Sequence, residues 1–126
     1  MTTHLSRLWF GLLALLLSAT LLPAQTQSQP LEGRQHPLSK TEQALAKQAK
    51  LTFEEAKKVA LEKVPGTIFN WELEKENGKI IYSIVSQLPD DKIYCREVNV
   101  NAMTGKIVAV EKENLKRQLK LAGKSR

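Results

Sequence analysis

The sequence predicts an α+β domain, one helix packed on a four-stranded antiparallel sheet in two layers, with a flexible N-terminal segment and a short C-terminal helix. Two observations carry this. A capped apolar helix stops at Pro65-Gly66, and the hydrophobic period then changes from helical to alternating and stays so through a series of turn signals.

The helix begins at Thr52. Its hydroxyl can accept from the backbone N–H of Glu55 while the Glu55 carboxylate returns to the Thr52 N–H, and Leu51 precedes the cap. Phe53, Ala56, Val59, Ala60 and Val64 then share one face, with Glu54, Lys57, Lys58 and Glu62 opposite. Pro65 disfavours helical geometry in its predecessor and ends the run.

Phe69, Trp71 and Leu73 alternate with Asn70, Glu72 and Glu74, which predicts a strand with the three apolar side chains on one buried face. Asn77-Gly78 tolerates the positive φ angles of a two-residue hairpin, and the chain returns as a second strand from Lys79 to Ser86. Pro89-Asp90-Asp91 provides the next turn, before a third strand from Ile93 to about Asn101. Thr104-Gly105 turns the chain into a fourth, Lys106 to Val110, with Gly105 the natural left-handed residue.

The order of these signals over residues 52–108, and above all Val98-Asn99-Val100-Asn101-Ala102-Met103-Thr104-Gly105-Lys106-Ile107, resembles the PepSY domain. The resemblance spans about Leu51 to Lys112. It implies a small exported module of non-catalytic type, as found in the propeptides of thermolysin-like metallopeptidases and in spore-germination proteins of bacilli. Family members commonly carry aspartate before the alanine of the motif; here Asn101 can cap the same turn but has no charge.

Four segments follow: a signal peptide at 1–24, a polar tether with a short helix at 25–50, the PepSY-like domain at 51–112, and a basic, partly helical tail at 113–126. Arg7 precedes the uncharged apolar run Leu8 to Leu22, which is shorter than the roughly 20 residues of a membrane-spanning helix, and Pro23-Ala24 offers a cleavage region. The reading is a periplasmic or secreted protein, with an uncleaved membrane anchor as the alternative, since Leu22 stands where a cleavage site prefers a small residue. Cleavage after Ala24 would leave 102 of the 126 residues, enough for one domain, and would remove one basic and no acidic residue, taking the formal charge from +6 to +5. Residues 25–38 are rich in Gln, Ser, Thr, Pro and Gly and are too polar to offset their ordering entropy by burial. Ser39-Lys40-Thr41-Glu42 has the spacing of a second capping box, opening a helix with a thin apolar face.

No residue is assigned a catalytic, cofactor-binding or metal-binding role, and no cofactor is expected. His4 lies in the signal peptide and His36 in the tether, so no Ser/His or Cys/His arrangement is foreseen in the folded region. Cys95 is alone, which excludes an intramolecular disulfide framework and suits a small apolar residue in a strand. Glu72, Glu74 and Glu76 recur at strand spacing on what reads as the solvated face; Asp90-Asp91 falls short of the six to eight oxygens of a calcium site and is better explained as turn chemistry. Trp71 and Tyr82 are expected in the core. Charge alone would admit nucleic acid, but export and the absence of interleaved basic and aromatic residues argue against it.

The leading functional expectation is a binding module for a protein partner in the cell envelope or outside it, such as a metallopeptidase that it inhibits or chaperones, engaged through a sheet edge or face. The alternative is a structural or adaptor protein, a homodimer formed by sheet edges, touching the membrane surface weakly through Leu115, Leu119 and the basic residues around them. A small-ligand pocket between helix and sheet ranks last, because no distinctive polar cluster marks one.

Overall fold

A computed structural model of the chain describes residues 33, 34 and 36–123; the expected signal peptide and the first part of the expected tether lie outside the described residues. The elements are α1 (Lys40–Gln48), α2 (Phe53–Lys63), β1 (Thr67–Glu76), β2 (Lys79–Gln87), β3 (Tyr94–Asn101), β4 (Ile107–Asn114) and α3 (Leu115–Ala122). The four strands form one antiparallel sheet in the order β1-β2-β3-β4. This is the predicted α+β architecture.

Both capping boxes form as the sequence signals them. Thr52 Oγ1 accepts from the Glu55 N–H while the Glu55 carboxylate accepts from the Thr52 N–H, and Ser39 and Glu42 repeat the arrangement at the start of α1. At the β1–β2 hairpin Asn77 and Gly78 have φ of 49° and 77°, the two positive angles that let a two-residue loop follow the twist of its strands. The Pro89-Asp90-Asp91 turn closes through Asp91 Oδ1, which accepts from the Ile93 and Tyr94 N–H groups.

The main core lies between α1 and α2 on one side and the sheet on the other. Phe53, Ala56 and Ala60 of α2 and Leu45 of α1 meet Trp71, Leu73, Tyr82, Ile84, Val98 and Val100. Phe53 stacks on Trp71 with ring centroids 4.1 Å apart and planes 13° from parallel, which adds about 0.5–1.5 kcal/mol to the area both rings bury. The Tyr82 hydroxyl, carried into this core, donates to the Leu51 carbonyl at 2.9 Å, so its polar atom is satisfied.

Phe69 departs from the expected alternation. The pairing of β1 with β2 slips between Ile68 and Asn70, a bulge that inserts one residue and inverts the parity of the strand. Ile68, rather than Phe69, therefore shares the helix-facing side with Trp71 and Leu73, and Phe69 packs on the opposite face with Val85, Cys95 and Leu115. That second cluster is covered by α3, whose residues Leu115, Gln118 and Ala122 are buried at helical spacing. The C-terminal helix thus packs under one end of the sheet, and the domain has a partial third layer.

The short helix expected within residues 25–50 forms as α1 and packs on the domain. Leu38 and Ala49 pack on the main core and Leu45 belongs to it, so α1 is a component of the domain. Burial against β1, which the local sequence does not reveal, compensates for the thin apolar face of this helix. His36, placed by sequence in a free segment, lies with Nε2 3.0 Å from the Ala122 carbonyl and so joins the chain before α1 to the end of α3.

Candidate protein-binding surfaces

The turn motif at residues 98–107 reads first as structure. Asn101 Oδ1 accepts from the Met103 and Thr104 N–H groups at 2.9 and 3.2 Å, the Gly105 N–H returns to the Asn101 carbonyl, and Gly105 takes φ of 73°. Ala102, fully buried, uses its carbonyl to accept from both Lys50 and Leu51 N–H, which seats the α1–α2 connection on the turn. An amide oxygen suffices for this work, so asparagine replaces a carboxylate here without loss of the cap.

The two sheet edges differ. At β1 the outward Trp71 carbonyl accepts from Arg34 Nη1 at 2.8 Å, and the outward Leu73 N–H is directed at Glu42 Oε1 at 3.4 Å. Arg34 and Glu42 are themselves joined by two hydrogen bonds of 2.7 Å, with side chains only 9% and 11% exposed. The pair takes up backbone groups that another strand would use, and it closes this edge. Burial pushes the Glu42 carboxyl up, but the hydrogen bonds from Arg34 and Ser39 outweigh it and hold the group below the ordinary glutamate value of 4.5.

β4 is the other end strand, and among the described residues no element lies beyond it in the sheet. Its Val108 and Val110 are 47% and 40% exposed, and Met103 in the preceding turn is exposed as well. Val108 sits at a second register slip, between Asn99 and Val100 on β3, which locally bends the strand without covering it. Tyr94, at the start of β3, is partly exposed beneath the Lys112 ammonium, 3.8 Å from the ring centroid.

The sheet face opposite α2 is acidic where α3 does not cover it. Glu72 pairs with Ser83 and Ser83 with Asn99; Glu74 pairs with Ile81 in the next row, and Glu97 with Glu111 in the row on the other side. Glu72, Glu74 and Glu76 lie on the exposed side, as the alternation predicts. Partial burial, together with the charges of Glu72, Glu97 and Glu76, raises the Glu74 carboxyl above its ordinary value.

Two clefts adjoin these features. One of about 890 Å³ runs along the β1 margin between the start of α1 and the end of α3, with Arg34, Glu42, Glu72 and Glu74 in its walls. The other, about 280 Å³, is largely apolar and lies between α1, α2 and the sheet; the Tyr82 hydroxyl in its lining is already committed to Leu51. Among the described residues no group of three or more His, Cys, Asp or Glu side chains is arranged to hold a metal ion. Cys95 is fully buried, and burial followed by the nearby Glu113 charge raises its thiol, the opposite of what a nucleophilic thiolate requires. Among the described residues no helix is long and apolar enough to cross a membrane.

The described residues thus form a small α+β module with one sheet edge closed by Arg34 and Glu42 and a charged face opposite α2. Residues 50–111 match the PepSY family model, described as "Peptidase propeptide and YPEB domain", and this segment is a PepSY domain, a type of module that is generally non-catalytic. Among curated proteins none matches the chain. A solved crystal structure, that of a protein from Clostridium difficile 630 described provisionally as a lipoprotein, is similar at 22% identity with a TM-score of 0.47. The similarity covers 60% of this chain, and the chain spans 43% of that one.

Proposed function

We propose that this protein is an exported, non-enzymatic module that binds a partner protein in the cell envelope or outside it, by taking an extended segment of that partner along β4. The carrying observation is the asymmetry of the sheet: the β1 edge is occupied by Arg34 and Glu42, whereas β4 is open and exposes Val108 and Val110. Strand addition supplies main-chain hydrogen bonds for affinity, and alternate side-chain positions supply selectivity. Export is supported by the apolar run from Leu8 to Leu22 after Arg7 and by the family. The family's presence in peptidase propeptides favours a peptidase partner, which the module would inhibit or help to fold.

The test is the activity and refolding yield of a thermolysin-like metallopeptidase with and without the purified protein, beside Val108→Lys and Val110→Lys variants. Inhibition or improved refolding that the variants lose supports the reading. An unchanged enzyme removes the peptidase version.

A second reading is a homodimer paired β4 to β4 that rests on a membrane surface. It draws on the outer side of α3, where Leu119 and Leu121 are exposed beside Lys116, Arg117 and Lys120. A monomer by light scattering that fails to sediment with anionic vesicles would eliminate it.

A further inference from the structure

The β4 edge presents free main-chain groups in a defined register. The Leu115 N–H donates to the Ile93 carbonyl, while on the other side of β3 the Ala102 N–H donates to the Ile80 carbonyl. In an antiparallel ladder such bonds recur at every second residue, so Cys95, Glu97 and Asn99 bond across to Glu113, Glu111 and Ala109. The main-chain groups of Val110 and Lys112 therefore point outward, and among the described residues no turn or loop bonds to them.

The side chains of this edge are left incomplete on both faces. On the side of α2, paired residues form one apolar row across the sheet, Trp71, Ile84, Val98 and Val110. The first three are at most 2% exposed and Val110 is 40% exposed, because α1 packs over β1 and α2 over β2 and β3. On the other side Glu97 stands directly opposite Glu111, a pairing of like charges that weakens a ladder. Glu111 is exposed and Glu113 half-buried; among the described residues neither forms an ion pair, and the nearby bases of α3, Lys116, Arg117 and Lys120, are exposed. Lys112 projects to the Val110 side, where its ammonium lies over the Tyr94 ring.

An added antiparallel strand, the direction of every pair in this sheet, completes both faces. Its residue opposite Val110 extends the apolar row, a position that suits a β-branched side chain. Its residues opposite Glu111 and Glu113 form non-hydrogen-bonded pairs, the kind that brings side chains closest, and a lysine or arginine there neutralises the carboxylates. On the reading that β4 accepts a strand, we infer that the segment it selects carries basic residues opposite Glu113 and Glu111 and a β-branched residue opposite Val110, the order basic-x-basic-apolar from the segment's N-terminus. β4 itself reads Val-Ala-Val-Glu-Lys-Glu over residues 108–113 and lacks this order, so the occupant is a segment of a partner protein rather than a second copy of the chain.

The test follows the backbone amides of the isotope-labelled full chain by NMR during titration with two capped peptides, Arg-Thr-Arg-Val-Thr-Val and Glu-Thr-Glu-Val-Thr-Val. The basic peptide should shift the Val110 and Lys112 N–H signals and slow their exchange with solvent, and it should bind about threefold or more tighter than the acidic one. Glu111→Lys, at an exposed position, should invert that preference, whereas Glu62→Lys on the solvent side of α2 should leave it unchanged. Equal protection of Val110 and Lys112 by both peptides overturns the selection of a basic segment and leaves strand addition at β4 standing. A preference that Glu62→Lys removes as fully as Glu111→Lys overturns it too, since the attraction is then general. If neither peptide protects these two amides at millimolar concentration, the inference and the β4 reading fall together. Protection that grows with protein concentration in the absence of peptide makes the occupant a second copy and likewise overturns the inference.

Discussion

Replacing Glu42 with glutamine tests whether the Arg34–Glu42 pair is an integral part of the fold. The carboxylate accepts two hydrogen bonds of 2.7 Å from Arg34 and one of 2.8 Å from the Ser39 N–H, with both members of the ion pair about nine-tenths buried. Removing one partner of a buried pair leaves the other charge uncompensated, a loss of about 3–5 kcal/mol in fully buried cases. Here Arg34 keeps its bonds to the Trp71 and His36 carbonyls and remains over the Trp71 ring, 5.0 Å from its centroid, and glutamine still offers an amide oxygen to the cap. The expected cost is therefore about 2–3 kcal/mol. With a urea dependence of about 1 kcal/mol per molar for a domain of this size, the unfolding midpoint should fall by about 2–3 M. Far-UV circular dichroism measures it. Arg34→Met should cost a similar amount, and the double variant should cost clearly less than the two single losses added together, because neither charge is then stranded. Because the folded-state value of Glu42 lies below the ordinary 4.5, its contribution is fully present above that pH and is lost as the pH falls through the folded value. The parent should thus lose its advantage over Glu42→Gln in acid. A midpoint change below about 0.5 M for both single variants would refute the argument and return α1 and Arg34 to the status of a loose tether.

At the turn before β4, Asn101→Ala removes the acceptor for two N–H groups and should cost about 1 kcal/mol, whereas Asn101→Asp should retain stability to within about 0.5 kcal/mol; denaturant unfolding separates them. Gly105→Ala should cost about 1–2 kcal/mol in the same assay, since φ is 73° and the new Cβ would stand 3.3 Å from Leu51 Cδ2. Cys95, fully buried with its Sγ 3.6 Å from the Glu113 carbonyl, should react with a thiol reagent only at the rate of unfolding; rapid labelling of the native protein would contradict this packing. Glu74 titrates in the opposite sense to Glu42. Its folded value is raised above 4.5, so its charge erodes stability as the pH rises through that region, and Glu74→Gln should match the parent in acid and exceed it at neutral pH.

Much of the fold was legible because it rests on short-range chemistry. The Thr52–Glu55 box, the Asn77-Gly78 hairpin, the Asp91 turn and the Asn101 to Gly105 turn each close within a few residues, and a reader of the chain can pair the donors and acceptors directly. The alternation of Trp71 and Leu73 with glutamates likewise follows from the pleat of a strand, and it assigned the buried and solvated sides correctly. The binding surfaces were less legible. Sheet edges and an acidic face were visible as categories, but the residues that close one edge and crowd the face were not.

The sequence by itself determined the order of elements, the turns that join them and the family to which the domain belongs, because local hydrogen bonds and side-chain period are written in consecutive residues. Only the tertiary structure decided that Phe69 crosses to the second face through a bulge, that α3 covers the cluster around Cys95, that Arg34 and Glu42 close β1 while β4 stays open, and that Asn99 is buried without a donor. These depend on contacts between residues up to 86 positions apart, as between His36 and Ala122, and on which of several compatible surfaces come together when the core closes. Packing settles that choice, and no local pattern encodes it.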